Sequence, residues 1–209
     1  MPLALKLQPK AMLMGASHRS GQQVRCVGNE SGCVNYPCWA TADFARCDQS
    51  GGDPNGKDYI PGEADVNLLS GEWMWAPGSD GRIRGFDELI KIYYASVGNN
   101  CNLLISTAPG PEGLISAGQI QRLREFGGEI QRRFGKSLAE TSGQGDAVVL
   151  KLDKPTLINH VILMEQIAEG ERVRDYVVDG LAGGAWKELA KGSCIGHKHI
   201  AQFADTEVS

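Results

Sequence analysis

The stretch "NLLISTAP" (102–109) does most to limit the fold. It is a continuous apolar run ended by Pro109, with helical patterns on both sides. A strand apolar at consecutive positions is covered on both faces, and such strands belong in parallel sheets. Upstream, "GFDELIKIYYASVGNN" puts Leu89, Ile92, Tyr93 and Ser96 at helical spacing. Asp87 and Glu88 suit the N-terminal dipole there, and Gly98 with Asn99 supplies a stop. Downstream, "AGQIQRLREFGGEIQRRFG" (117–135) lines up Ile120, Leu123, Phe126, Ile130 and Phe134 on one helical face, with Gly135 as its cap. Two earlier apolar runs, "KAMLMG" (10–15, closed by Gly15) and "VRCVG" (24–28), read as strands, and "GEWMWAP" (71–77) as a short aromatic strand. From Ser31 to about Ser70 the chain is irregular and rich in Gly, Pro and Asp, the mark of a loop that is functional or disordered. Strand and helix in alternation, with large loops after the strands, predict an α/β barrel.

Near Ser137 the pattern changes from helical to alternating. "AVVLKLD", "INHVILME", "RVRDYVVDG" and "AWKELAKG" are short runs divided by Gly, Pro and Asp turns, which predicts an antiparallel β-sandwich. The boundary falls between Gly135 and Glu140, so residues 1–136 form a barrel portion and residues 137–209 a sandwich segment.

Composition narrows the function classes. The net charge of -4 over 209 residues comes without a basic stripe, which argues against nucleic acid. No apolar run reaches the length of a membrane span, and the start shows no signal-peptide pattern. Of the six cysteines, Cys26, Cys33, Cys38 and Cys47 cluster, while Cys101 and Cys194 stand apart. There is no C-x-x-C pair and only His18 lies near the cluster, so no metal site is assigned. Small buried thiols are the favoured reading; a disulfide between two of the clustered cysteines stays open.

Several residues carry chemistry in principle. Glu30 ends the run "VRCVGNE" at the mouth of a strand, although a lone loop glutamate is usually a solvated one. Arg25 interrupts an apolar strand, and an arginine there needs an anion or acceptors. Trp73 and Trp75 at i, i+2 share a strand face, as core residues or as a sugar platform. Glu63 and Asp65 in "PGEADV" sit two apart and would face one way, with solvated loop acids as the default reading. His197 and His199 in "GHKH" fit a surface turn.

Taken in order, "VRCVGNESGCVNYPCWAT", "PGEADV", "EWMW", "DELIKIYYASVGNNCNLL" and "LREFGGEIQRRFGKSLAETS" resemble the α-L-fucosidases of glycoside hydrolase family 29. "LINHVILMEQIAEGERVRDYVV" is similar to the β-sandwich that follows the barrel in that family, a galactose-binding-like sandwich. The resemblance implies a retaining exo-glycosidase that removes terminal α-L-fucose from fucosylated glycans or glycosides. Such chemistry uses two carboxylates about 5–5.5 Å apart, one a nucleophile and one an acid/base, and needs no cofactor or metal. The G-N-E glutamate falls on Glu30, the implied general acid/base. Arg25 matches an arginine near the fucose site, with Cys26 where the family commonly has an aromatic residue. Glu63 matches a glutamate that contacts a sugar hydroxyl or the aglycone, Trp73 a tryptophan that stacks on the sugar, and Trp39 a further member of the site.

The nucleophile aspartate of this family precedes the G-N-E glutamate in a W-x-D-G or F-D-G motif, and neither occurs here. Asp43, Asp48, Asp53, Asp58 and Asp65 lie outside such a motif. "ALKLQP" (4–9) resembles the end of the helix after the nucleophile strand. The expectation is therefore a C-terminal half of a (β/α)8 barrel with a truncated sandwich, little activity alone, and self-association through exposed barrel edges. The alternative from another class is a carbohydrate-binding or interaction module on the sandwich, with Trp186 as its platform. Relatives act in secreted, periplasmic, lysosomal or cytoplasmic settings, among which the sequence does not choose.

Overall fold

The computed structural model describes residues 3–14, 22–43 and 51–209. Helix α1 (Leu3–Leu7) and strand β1 (Met12–Met14) lead to β2 (Gln22–Cys26). A small antiparallel pair, β3 (Thr41–Ala42) with β4 (Asp58–Tyr59), sits in the long loop that follows. Then come β5 (Gly62–Asn67), α2 (Phe86–Ser96), β6 (Cys101–Ser106) and α3 (Ala117–Phe134). The main sheet has the order β1-β2-β5-β6, with every pairing parallel.

One face of this sheet is covered. Val66, Leu68, Leu89 and Ile92 are buried together, with Leu103, Ile105, Leu123 and Phe126 packed around them. Burying side chains of this size contributes roughly 1.5–3 kcal/mol each, more than helix propensity supplies. The other face is polar and open: Cys26, Glu63 and Asp65 are half-buried, and Asn102 and Leu104 are exposed.

Helix α3 follows its predicted stripe except at Ile120, which is 37% exposed. The fully buried position is its neighbour Gln119, whose side-chain amide accepts from Ala108 N and donates to Ala108 O, both at 3.1 Å. Beyond the end of β6, Ala108 has backbone groups that need partners, and one amide satisfies both.

After α3, β7 (Thr156–Leu163) pairs with β10 (His199–Val208), and β8 (Tyr176–Ala182) pairs with β9 (Ala185–Gly192), both antiparallel. Gly183 and Gly184, both at positive φ, turn the second pair as a tight hairpin. A methyl group on Gly180 would lie 2.6 Å from Leu189 and 2.8 Å from Val208, so the hairpin rests closely on β10. The described residues thus form a mixed α/β structure with one parallel sheet and three small antiparallel pairs. No helix among them is long and apolar enough to cross a membrane.

Four sequence expectations need correction. The segment 62–67, assigned to the irregular stretch, is an interior strand of the sheet: its small residues Gly62, Ala64 and Val66 fill the covered face while acids occupy the open one. "GEWMWAP" is a bent loop with a single bridge between Leu69 and Glu72, so no strand pleat aligns Trp73 with Trp75. "AVVLKLD" pairs with no described strand, and Val148, Val149 and Leu150 are exposed. His199 lies in β10 and is buried, whereas His197 is exposed. Expectations for Gly15, His18, Cys47 and Asp48 fall outside the described residues.

The two parts of the chain meet through buried polar groups. The Glu171 carboxylate is 4% exposed and accepts from Ala40 N (2.9 Å), Thr41 N (3.0 Å), Thr41 Oγ1 (3.2 Å) and Asn100 Nδ2 (2.5 Å). The Tyr36 hydroxyl donates to Cys194 O and accepts from Ser193 N and Cys194 N. Asn100, at φ 62, also receives His197 N on its Oδ1.

His199 packs between the rings of Tyr36 and Tyr176, and its Nδ1 is buried without a hydrogen-bond partner among the described residues. Burial holds this imidazole below its ordinary range, as it does His160 against Phe134. A depressed histidine stabilises the fold above its unfolded pKa, about 6.5, and loses that contribution as pH falls through the window below it. The urea midpoint should therefore drop between about pH 7.5 and about pH 5. In His199→Phe the drop should be smaller, with His160 supplying the remainder; an unchanged pH slope would count against this assignment.

Candidate active site

Glu30 follows the carboxyl end of β2 in a loop built from its neighbours. Asn29 Oδ1 accepts from Ser31 N (3.0 Å) and Ser31 Oγ (2.8 Å), while Asn29 Nδ2 donates to Cys33 O (2.8 Å). This turn leaves Glu30 at φ 51, a left-handed conformation that costs a non-glycine residue about 1–3 kcal/mol. Neighbouring β5 holds the loop: Gly32 N donates to Asp65 O (3.0 Å) and Ser31 bridges Val66. Gly32, at φ 71, is required there, because a Cβ would meet Ile92 Cγ2 at 2.7 Å.

Trp73 comes from the loop beyond the carboxyl end of β5. Its Nε1–H donates to Glu30 Oε2 at 3.1 Å. Arg84 anchors that loop by donating to Asn67 O (2.7 Å) and Asn67 Oδ1 (2.9 Å) at the last residue of β5. Glu72, next to Trp73, forms an ion pair with Arg82. Both chains of contact start at strand ends, the edge of a parallel α/β sheet where reactive groups gather.

The other sequence candidates are placed differently. Glu63, second in β5, is level with Cys26 and Asn102 and accepts from Asn102 Nδ2 at 3.0 Å on the open face of the sheet. Arg25 points to the opposite side of β2 from Cys26. It is 3% exposed and donates to Ile60 O (2.6 Å) and Cys38 Sγ (3.4 Å). Trp39 is 6% exposed, with the Arg174 guanidinium 4.8 Å above its ring. The structure brings Glu30 and Trp73 into contact, keeps Glu63 on the open face, and places Arg25 and Trp39 in buried packing. It adds Arg84 and Asn67 as supports of the Trp73 loop; the arginine in "GRIRG" gave no sequence signal beyond ordinary surface charge. No group of three His, Cys, Asp or Glu among the described residues is arranged to hold a metal.

No protein-family model matches the chain. α-L-Fucosidase 1 of Arabidopsis thaliana is 27% identical over 242 residues, covering 95% of this chain and 47% of that protein. The crystal structure of a candidate α-L-fucosidase from Bacteroides thetaiotaomicron is 37% identical with a TM-score of 0.92, covering 99% of this chain and 50% of that one. A glycoside hydrolase family 29 fucosidase of Ruminococcus gnavus, solved in complex with fucose, shares the fold at 24% identity and a TM-score of 0.80, covering 94% of this chain and 48% of its own. The chain spans about half the length of these relatives. Over nearly all of its own residues the chain is similar to α-L-fucosidases of glycoside hydrolase family 29.

Proposed function

We propose that this chain carries the acid/base side of a retaining α-L-fucosidase site. Residues 1–136 are the C-terminal portion of a (β/α)8 barrel and residues 137–209 a β-sandwich segment packed beside it. The observation that carries the reading is Glu30, held in a left-handed turn at the carboxyl end of a parallel strand with the Trp73 indole N–H on its carboxylate. Backbone strain of this kind collects where a side chain must be aimed.

In this reading Glu30 protonates the departing glycosidic oxygen and then takes a proton from water. Trp73 aims the carboxylate through its N–H and offers its ring to the sugar. Glu63 serves as a polar contact from the open face, and Arg25 and Trp39 hold the loop behind Glu30 rather than touching the sugar. The nucleophile must stand about 5–5.5 Å from the acid/base. In this reading the second carboxylate is one that residues other than those described bring to the site. The sheet edges β1 and β6, with Met12, Met14 and Leu104 exposed, are where the rest of a barrel, or a second copy, would join.

Titration with L-fucose, followed by the indole N–H resonance of Trp73, tests the site. The expected result is a saturable shift that Trp73→Phe removes and that an unrelated sugar such as glucose does not produce. No response of this resonance to fucose would remove the sugar contact from the proposal.

A further inference from the structure

The turn that carries Glu30 is gripped at both ends by one residue of β5. At its exit, Gly32 N donates to Asp65 O at 3.0 Å. At its entrance the link runs through a thiol. Gly28 N donates to Cys26 Sγ at 3.3 Å, and Cys26 Sγ in turn donates to Asp65 Oδ1 at 3.6 Å. Sulfur is larger than oxygen and a weaker hydrogen-bonding group, so both contacts are long. Cys26 and Asp65 are half-buried on the open face of the sheet, whereas Gly28, Asn29 and Glu30 are exposed.

We propose, on the reading of Glu30 as the acid/base, that Cys26 and Asp65 are positioning residues for it: the Asp65 carboxylate orients the Cys26 S–H, and the sulfur fixes the Gly28 backbone. Backbone bonds from β2 to β5 run as far as Val27 N, which donates to Glu63 O at 3.1 Å, and the next is Gly32 N on Asp65 O. Between these two points the chain passes through left-handed conformations at Gly28 (φ 79) and Glu30 (φ 51). A left-handed glutamate persists only where its surroundings over-determine it. The bonds of Asn29 to Ser31 and Cys33 close the turn on itself. Cys26 ties its entrance to the sheet.

The relay needs a protonated thiol, because a thiolate has no hydrogen to give Asp65. Burial, followed by the Asp65 and Glu63 carboxylates, holds the Cys26 thiol above its ordinary range, against the opposing effect of Gly28 N. Cys26 therefore keeps its hydrogen and acts as donor and acceptor at once. Serine supplies the same two functions; alanine supplies neither.

The test follows the Trp73 indole N–H resonance, assigned by its loss in Trp73→Phe, in the full chain without sugar. In Cys26→Ala the turn loosens and Glu30 leaves the indole, so the resonance moves upfield toward that of a solvated indole. Asp65→Ala keeps the backbone carbonyl for Gly32 and should move the resonance the same way. The double variant should move it no further than the larger single change, because the two residues act through one path. Cys26→Ser and Asp65→Asn should stay near the wild-type position. A resonance unmoved in Cys26→Ala, or moved as far in Cys26→Ser, would overturn the proposal. Should Cys26→Ala fail to fold, Asp65→Ala against Asp65→Asn decides by the same criteria. No sugar is present, so a failure here is distinct from a failure of Trp73 to respond to fucose, which bears on the acid/base site itself.

Discussion

Glu30→Gln is expected to lower fucoside hydrolysis by about 10²–10⁴-fold, the range for losing a positioned acid/base. The assay uses this chain combined with the upstream half of a full-length family relative, since the chain spans about half of such proteins. Glutamine keeps the size of the side chain and an oxygen to accept from Trp73 Nε1, so the loop stays in place while proton transfer stops. The loss should depend on the leaving group. A nitrophenolate departs without being protonated, whereas a sugar alkoxide does not. Fucosyl disaccharides should therefore lose more rate than nitrophenyl fucoside in the bond-breaking step. Equal losses for both substrates would assign Glu30 to binding or structure.

Glu171→Ala should cost about 3–4 kcal/mol of stability, the second large effect. Its carboxylate collects Ala40 N, Thr41 N, Thr41 Oγ1 and Asn100 Nδ2 in a buried site. Truncation leaves these donors without an acceptor, and each buried orphan costs about 1–3 kcal/mol before relaxation and water entry offset part of it. Urea unfolding gives the value, provided the slope is unchanged between wild type and variant. Glu171→Gln should fall between the two, because its amide keeps one acceptor and turns a second N–H group toward donors. A midpoint for the alanine variant equal to that of wild type would mean the parts of the chain are held together elsewhere.

Elements with one strong period were legible. Helices α2 and α3 stand where the sequence places them, because their apolar residues alone specify a face; strand β6 stands in its place too, but it is open on one face at Asn102 and Leu104 rather than covered on both. Strand β5 was hidden, since Glu63 and Asp65 on one face of it read as loop acids. "AVVLKLD" has the composition of a strand but no partner among the described residues, and composition does not supply partners. In "GEWMWAP" the tryptophans suggested a pleat, while Pro77 and Gly78 end regular structure and the loop instead turns Trp73 toward Glu30. That contact spans 43 residues, a distance no local pattern records. Glu171 was hidden for a related reason: "EGERVRD" looks solvated until the fold delivers backbone N–H groups to one of its acids. The G-N-E motif pointed to Glu30 through its resemblance alone; its left-handed backbone and its indole partner come only from the fold.

In the proposed function Glu30 is an acid/base carboxylate whose nucleophile other residues supply. Hydrolysis of an aryl α-L-fucoside tests it most directly, measured for the purified chain alone and with the upstream barrel half of a relative supplied in trans. Near-background turnover is expected of the chain alone, with a gain on adding that half and loss of the gain with Glu30→Gln. Robust turnover by the chain alone, abolished by Glu30→Gln, would contradict it and place a working nucleophile within these 209 residues.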